Sequence, residues 1–182
     1  AGVLVVHAAG NDNMNTELAN NFPTKKLLRT ASEPAGELRN WIEVGASDAL
    51  EKQYIDEAGV LKSMIAEFSN YGKTSVDVFA PGVQILSTIP GNKYAAFNGT
   101  SMASPEVAGV AAILLSQKPK MNAVELKALI MNHVTLHEGL KVVLPGTENE
   151  QVLFSDLSVT GGTVNVFKAL RSIIWPYSIF YK

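Results

Sequence analysis

Apolar and polar positions alternate along this chain with two different periods. Val3 to Ala9 is a continuous apolar run, rich in β-branched residues and closed by Gly10-Asn11. That is the pattern of a buried parallel strand ending in a turn. Asp12 to Asn40 is polar and turn-rich, with Pro23 and Pro34, and reads as loop with room for a helical turn. "WIEVGA", Trp41 to Ala46, is a short strand, and Asp48 to Tyr71 mixes charges with short apolar pairs, as irregular strand and loop do. "VDVFAPG" and "VQILSTI" are two short strands punctuated by Pro81-Gly82, and "KYAAFNGTS" is a strand leading into the loop before Ser101.

The period then changes. Met102 to Gln117 has almost no polar face, which predicts a helix buried in the middle of a domain. "NAVELKALIMNHV" places Val124, Leu126, Leu129 and Ile130 near a helical repeat, with Asn122 as N-cap and Glu125 completing a capping box. Leu136 to Gly162 reads as loop or hairpin, and a last helix starts near Val164. Short strands alternating with helices predict an α/β layer fold with a parallel sheet. Ligand sites in such sheets lie at the carboxyl ends of strands, and both Gly10-Asn11 and Gly99-Thr100-Ser101 fall just past strand ends.

Composition narrows the function. The 182 residues fit one domain, and 47% hydrophobic residues suffice for a sizeable core. A formal net charge of -2 provides no basic field for a nucleic-acid backbone, so nucleic acid is excluded as a partner. There is no cysteine, hence no disulfide framework and no thiolate metal site. The longest strongly apolar stretch, Val107 to Leu115, is too short to cross a bilayer, so no membrane partner is expected. "AGVLVVHAAGN" lacks an initiator methionine and a basic leader, and it begins inside what reads as a strand. The expectation is a fragment.

"FNGTSMASPEVAG", Phe97 to Gly109, carries the chemistry. At a helix N-terminus, Ser101 Oγ would sit near unpaired backbone N–H groups and the positive end of the dipole, which stabilise developing negative charge. Gly99 lets a substrate backbone approach. Ala103 and Ala108 allow tight helix packing, and Pro105 falls in or near the first turn, where a missing N–H costs little. A bare Gly-Thr-Ser is equally compatible with Thr100 or Ser101 merely capping the helix. Likewise Asn11 alone is compatible with a left-handed turn after Gly10.

The full run "NGTSMASP" closely resembles the nucleophile motif of the subtilisin-like serine proteases. "VLVVHAAGND" resembles the strand that carries that family's oxyanion-hole asparagine, here Asn11. "WIEVGASD", "AEFSNYG", "VDVFAPGVQILST" and "GGTVNVFKAL" resemble later segments in the same order. The resemblance covers nearly all of Gly2 to Leu170. It implies an incomplete subtilisin-like parallel-sheet fold: residues 1–170 as the C-terminal portion of the catalytic domain, and 171–182 as an apolar tail outside the resemblance. It implies Ser101 as nucleophile and Asn11 in the oxyanion hole. Ala8, Ala9, Gly10, Asp12, Gly99 and Thr100 are expected to bind substrate, a peptide or protein.

In the family the aspartate and histidine precede the serine, as Asp-Ser-Gly or Asp-Thr-Gly and as His-Gly-Thr. Neither pattern occurs at Asp12, Asp48, Asp56, Asp77 or Asp156, nor at His7, His133 or His137. His7 reads as a partly buried structural histidine. His133 and His137 have a metal-compatible spacing on a continuous helix, but a fraying helix end is the stronger reading. The base is therefore expected on an upstream half of the same domain, which becomes a partner of this chain, and the chain alone is expected to be inactive. Glu106 stands where many relatives carry a histidine that is not the catalytic one. Leu136 to Gly162 is longer than in compact relatives.

Structural calcium is common in the family, and "NDNMN" offers acidic and amide groups, but these are also ordinary turn residues, so no cofactor or metal is assigned. The resemblance further implies a secreted or cell-envelope location. Two other functions remain open at this point: a peptide-binding pseudoprotease, and a fragment that self-associates through an exposed sheet edge.

Overall fold

A computed structural model of the chain describes residues 2–18, 21–27, 36–48, 54–55 and 61–174. The strands are β1 (Val5–Ala8), β2 (Lys26–Leu27), β3 (Gly36–Glu37), β4 (Trp41–Ser47), β5 (Tyr54–Ile55), β6 (Leu61–Lys62) and β7 (Val78–Pro81). They continue with β8 (Ile85–Ile89), β9 (Lys93–Phe97), β10 (Thr135–Leu136), β11 (Lys141–Val143), β12 (Gln151–Leu153) and β13 (Gly162–Thr163). The helices are α1 (Thr100–Gln117), α2 (Ala123–Asn132) and α3 (Val166–Ile174). One five-stranded sheet, in the order β1-β4-β7-β13-β10, organises the rest. Its first four strands are parallel, and β10 joins antiparallel. The α/β parallel-sheet class expected from the pattern is the one observed.

Strand parity divides the chain into two cores. Ile42, Val44, Ala46, Val78 and Ala80 face α1 and pack against Ala103, Val107, Val110, Ala111 and Leu114. On the opposite face Phe79 meets Phe154, with ring centroids 5.2 Å apart, beside Val142 and Leu157. Gly45 is required there, because a Cβ at that position would run into the Phe79 ring. β11 and β12 form a hairpin that covers this second face, within the segment read as loop or hairpin.

α2 begins as its sequence predicts. Asn122 Oδ1 accepts from Val124 N and Glu125 N, both at 3.0 Å, and Glu125 Oε2 accepts from Asn122 N at 3.0 Å. It ends at Asn132 with His133 as C-cap, so His133 and His137 do not share a helix. α1 starts two residues before Met102. It is buried on one side only: Ser101, Pro105, Ala108, Gly109, Ala112 and Ile113 are all exposed. The uniform apolar pattern predicts burial all round, but the sheet covers only one face of this helix. α3 runs on through Arg171 to Ile174, across the start of the expected tail. Residues 175–182, where the rest of that tail falls, lie outside the described residues.

Beneath the sheet lies a buried polar network. Asp77, 2% exposed, accepts from Glu43 N at 2.8 Å, Lys127 Nζ at 3.1 Å and Lys25 Nζ at 3.3 Å. Glu43 accepts from Trp41 Nε1 at 2.7 Å and is paired with His7 Nδ1 at 2.8 Å. Each buried carboxylate thus has hydrogen-bonding partners, the condition under which such a group is tolerated. Asp77→Ala should lower unfolding free energy by about 3–5 kcal/mol in a denaturant titration, because it leaves the Lys25 ammonium buried without its carboxylate.

Candidate active site

Two turns meet at the carboxyl end of the sheet. Gly10-Asn11 follows β1, and Gly99-Thr100-Ser101 joins β9 to α1. The joint is the Thr100 hydroxyl, which accepts from Gly10 N at 3.1 Å and donates to Asn11 Oδ1 at 3.0 Å. Thr100 N also donates to Asn11 Oδ1, at 2.8 Å. Gly99 is the N-cap of α1, so neither Thr100 nor Ser101 serves as the cap, and the first helical N–H is met from outside the helix by Asn11 Oδ1.

These bonds orient the Asn11 amide. With Oδ1 engaged twice by Thr100, Nδ2 is left as the outward donor. A point where a Cβ on Gly99 would stand lies 3.5 Å from Asn11 Nδ2 and 3.6 Å from Ser101 N. The two donors thus border one small space, which Met102 Sδ also lines at 3.6 Å and which exists because Gly99, itself buried, has no side chain. Neither donor has an acceptor among the described residues. Such unused N–H groups at a helix start attract a developing anion.

A second amide shapes the first turn, and the sequence reading did not single it out. Asn70, 3% exposed, donates from Nδ2 to Ala9 O at 2.8 Å and accepts at Oδ1 from Asp12 N at 3.0 Å and Met14 N at 2.9 Å. Gly10 has φ 100, and a Cβ there would collide with the Asn70 side chain. Only a polar residue in a loop marked Asn70 in the sequence, since its partners lie more than fifty residues away.

The other expected substrate contacts divide. Ala8 is half-buried at the end of β1, and Asp12 is exposed beside Asn11. Ala9 and Thr100 are both 0% exposed. Ala9 packs in the core around Phe79, and Thr100 is committed to Gly10 and Asn11, so their part is to hold the turn. In "NDNMN", Asn13 takes φ 50 and Asn15 Oδ1 accepts from Glu17 N at 2.9 Å, which are turn-forming roles.

All three histidines are engaged elsewhere. His7 lies on the sheet face away from α1, paired with Glu43. His133 Nδ1 is bonded to Leu129 O at 2.8 Å, and His137 Nε2 to Thr163 Oγ1 at 3.0 Å. Burial, then the nearby Lys168 charge, pushes the His137 pKa down and favours the neutral ring. No group of three or more potential metal ligands occurs among the described residues. Among them too, no helix is long and apolar enough to cross a membrane.

The sequence profile of the Subtilase family matches residues 1–159, and the chain belongs to that family. It is a subtilisin-like serine protease region. Over 129 residues it is 44% identical to the Thermophilic serine proteinase of Bacillus sp. (strain AK1), covering 71% of this chain and 25% of that protein. Over 134 residues it is 36% identical to Subtilisin BL of Lederbergia lenta, covering 74% of this chain and 39% of that protein. A solved structure of the subtilase cytotoxin SubAB assembly superimposes with a TM-score of 0.67 at 24% identity, over 96% of this chain and 51% of the other. The chain thus spans between a quarter and two-fifths of these curated relatives and about half of the solved chain.

Thr100→Val keeps the shape of the buried side chain and removes its hydroxyl. The Gly10 N–H then loses its acceptor and Asn11 one of its donors, so stability should fall by about 1–3 kcal/mol in chemical denaturation. Thr100→Ser, which keeps the hydroxyl, should lose much less.

Proposed function

We propose that this chain is the C-terminal portion, residues 1–170, of a serine endopeptidase catalytic domain. In the complete domain Ser101 Oγ attacks a peptide carbonyl and its proton passes to a histidine on the upstream half, oriented by an aspartate there. The carbonyl oxygen becomes an oxyanion held by Asn11 Nδ2 and Ser101 N. The histidine then returns the proton to the leaving amine, and water releases the acyl group by the same route. The observation that supports this reading best is the convergence of those two donors beside Gly99. A donor of this kind is worth about 10²–10³ in turnover, a figure that belongs to subtilisin itself.

The upstream half also suits the surface left open. β1 is the edge of the sheet, and the exposed face of α1 carries Ala108, Ala112 and Ile113. An edge strand beside an apolar helix face is what a further strand and its packing layer would cover. The same surface favours a second reading, association of two copies of this chain, which sedimentation distinguishes from a monomer. Family membership supports peptide or protein substrates and a secreted or cell-envelope setting. No cofactor enters the reaction as proposed.

A fluorophosphonate probe should barely label the isolated chain, since a serine hydroxyl without a base keeps its proton. Loss of the histidine costs subtilisin about 10⁶ in turnover. Adding an upstream half that carries the aspartate and histidine should restore labelling, and Ser101→Ala should abolish it. Brisk labelling of the isolated chain that vanished in His7→Ala would overturn the reading.

In the reconstituted domain the acyl-side residue of the substrate lies along the backbone of Ala8–Asn11, with the Ala9 side chain turned into the core and Asp12 at the rim. Asp12→Asn should lower the preference for Lys over Phe at that position by roughly 1 kcal/mol or less in paired kcat/KM measurements. An unchanged ratio would remove Asp12 from specificity.

A further inference from the structure

A cleft of about 560 Å³ opens beside the candidate site, and nothing in the family reading assigns it. Its apolar walls are Phe68, Val83, Leu144 and Pro145, and Asn98, three residues before Ser101, lies at its edge. Its charged lining is acidic: Asp48, Glu67 and Glu148, with no cationic side chain among the described lining residues.

The outer wall is built by the long segment between β10 and β13. Leu144-Pro145-Gly146-Thr147 is a tight turn, closed by Thr147 N donating to Leu144 O at 3.1 Å, with Gly146 at φ 83. Proline second and a positive-φ glycine third are what a type II turn requires. The turn rests on the candidate site: a Cβ on Gly146 would stand 3.1 Å from Asn13 Cγ, two residues past Asn11. The floor is tied to the sheet by Ala66 N donating to Ala46 O at 3.1 Å. The cleft is therefore held between the Asn11–Asn13 turn on one side and the approach to Ser101 on the other.

We infer that this cleft binds the leaving-group side of a substrate polypeptide and selects a basic residue there, seating its aliphatic stem on Phe68 and Leu144 and its charge among Glu67, Glu148 and Asp48. The assignment to the leaving-group side rests on the proteolytic reading, in which Ala8–Asn11 face the acyl side, and those residues do not line the cleft. An arginine or lysine suits both surfaces, since its stem covers apolar groups while its head meets the carboxylates. An acidic peptide would meet like charge at the same rim.

Fluorescence anisotropy of labelled Gly-Leu-Arg-Ala-Gly and Gly-Leu-Glu-Ala-Gly with this chain tests binding without any need for turnover. The arginine peptide should bind more tightly, and the difference should shrink at high salt. The double variant Glu67→Gln, Glu148→Gln changes two exposed side chains and should weaken arginine-peptide binding about fivefold. Leu144→Ala should weaken both peptides. Equal binding of the two peptides, or an arginine preference that the double variant leaves unchanged, overturns the inference. The catalytic reading fails separately: if the reconstituted domain is not labelled at Ser101 while the carboxylate-dependent preference persists, the cleft stands as a peptide site and only its role in cleavage falls.

Discussion

One buried hydroxyl joins two turns that are ninety residues apart in the chain. Thr100 Oγ1 accepts from Gly10 and donates to Asn11, and it has no exposure to solvent. The Thr100 N–H, which also donates to Asn11 Oδ1, completes the joint between the turn after β1 and the start of α1. Together the two Thr100 donors occupy Asn11 Oδ1, and the Nδ2 left free borders the same space as Ser101 N. The candidate chemistry thus depends on a residue that substrate cannot touch.

The sheet makes that contact possible by keeping apart two kinds of packing. The face toward α1 is small and apolar, and it holds the helix close enough for Thr100 to reach Gly10. The other face tolerates His7, Trp41, Glu43 and Asp77 because each finds a hydrogen-bond or ion-pair partner. Asp77 pairs with two lysines from separate segments of the chain, so it ties Lys25 and α2 to the base of the sheet.

Local signals were the legible ones. The capping box of α2 lies within four residues, and the short segment Trp41 to Ala46 read as a strand ends one residue later, at Ser47. The motif around Ser101 identified the family, which the comparisons bear out over most of the chain. What was not legible is long-range. Asn70 serves residues more than fifty positions away, and Glu43 reads as a charge misplaced in an apolar strand until His7 is set beside it. Ala9 and Thr100 were expected at the substrate surface, but a side chain next to a site in sequence can turn inward, as both do. The α1 pattern is apolar on every side, so it cannot say which face the sheet covers.

The placement of the β11–β12 hairpin has an evolutionary consequence. It rises from the sheet face opposite α1, and its core contacts, Val142 with the Phe79 and Phe154 cluster, are separate from those that hold the helix. Length changes in the tip beyond Gly146, which rests against Asn13, can therefore accumulate without disturbing the core contacts that hold Thr100. The shape of this rim can vary while the packing that holds Thr100 beneath it stays constrained. Length variation among descendants should be concentrated there.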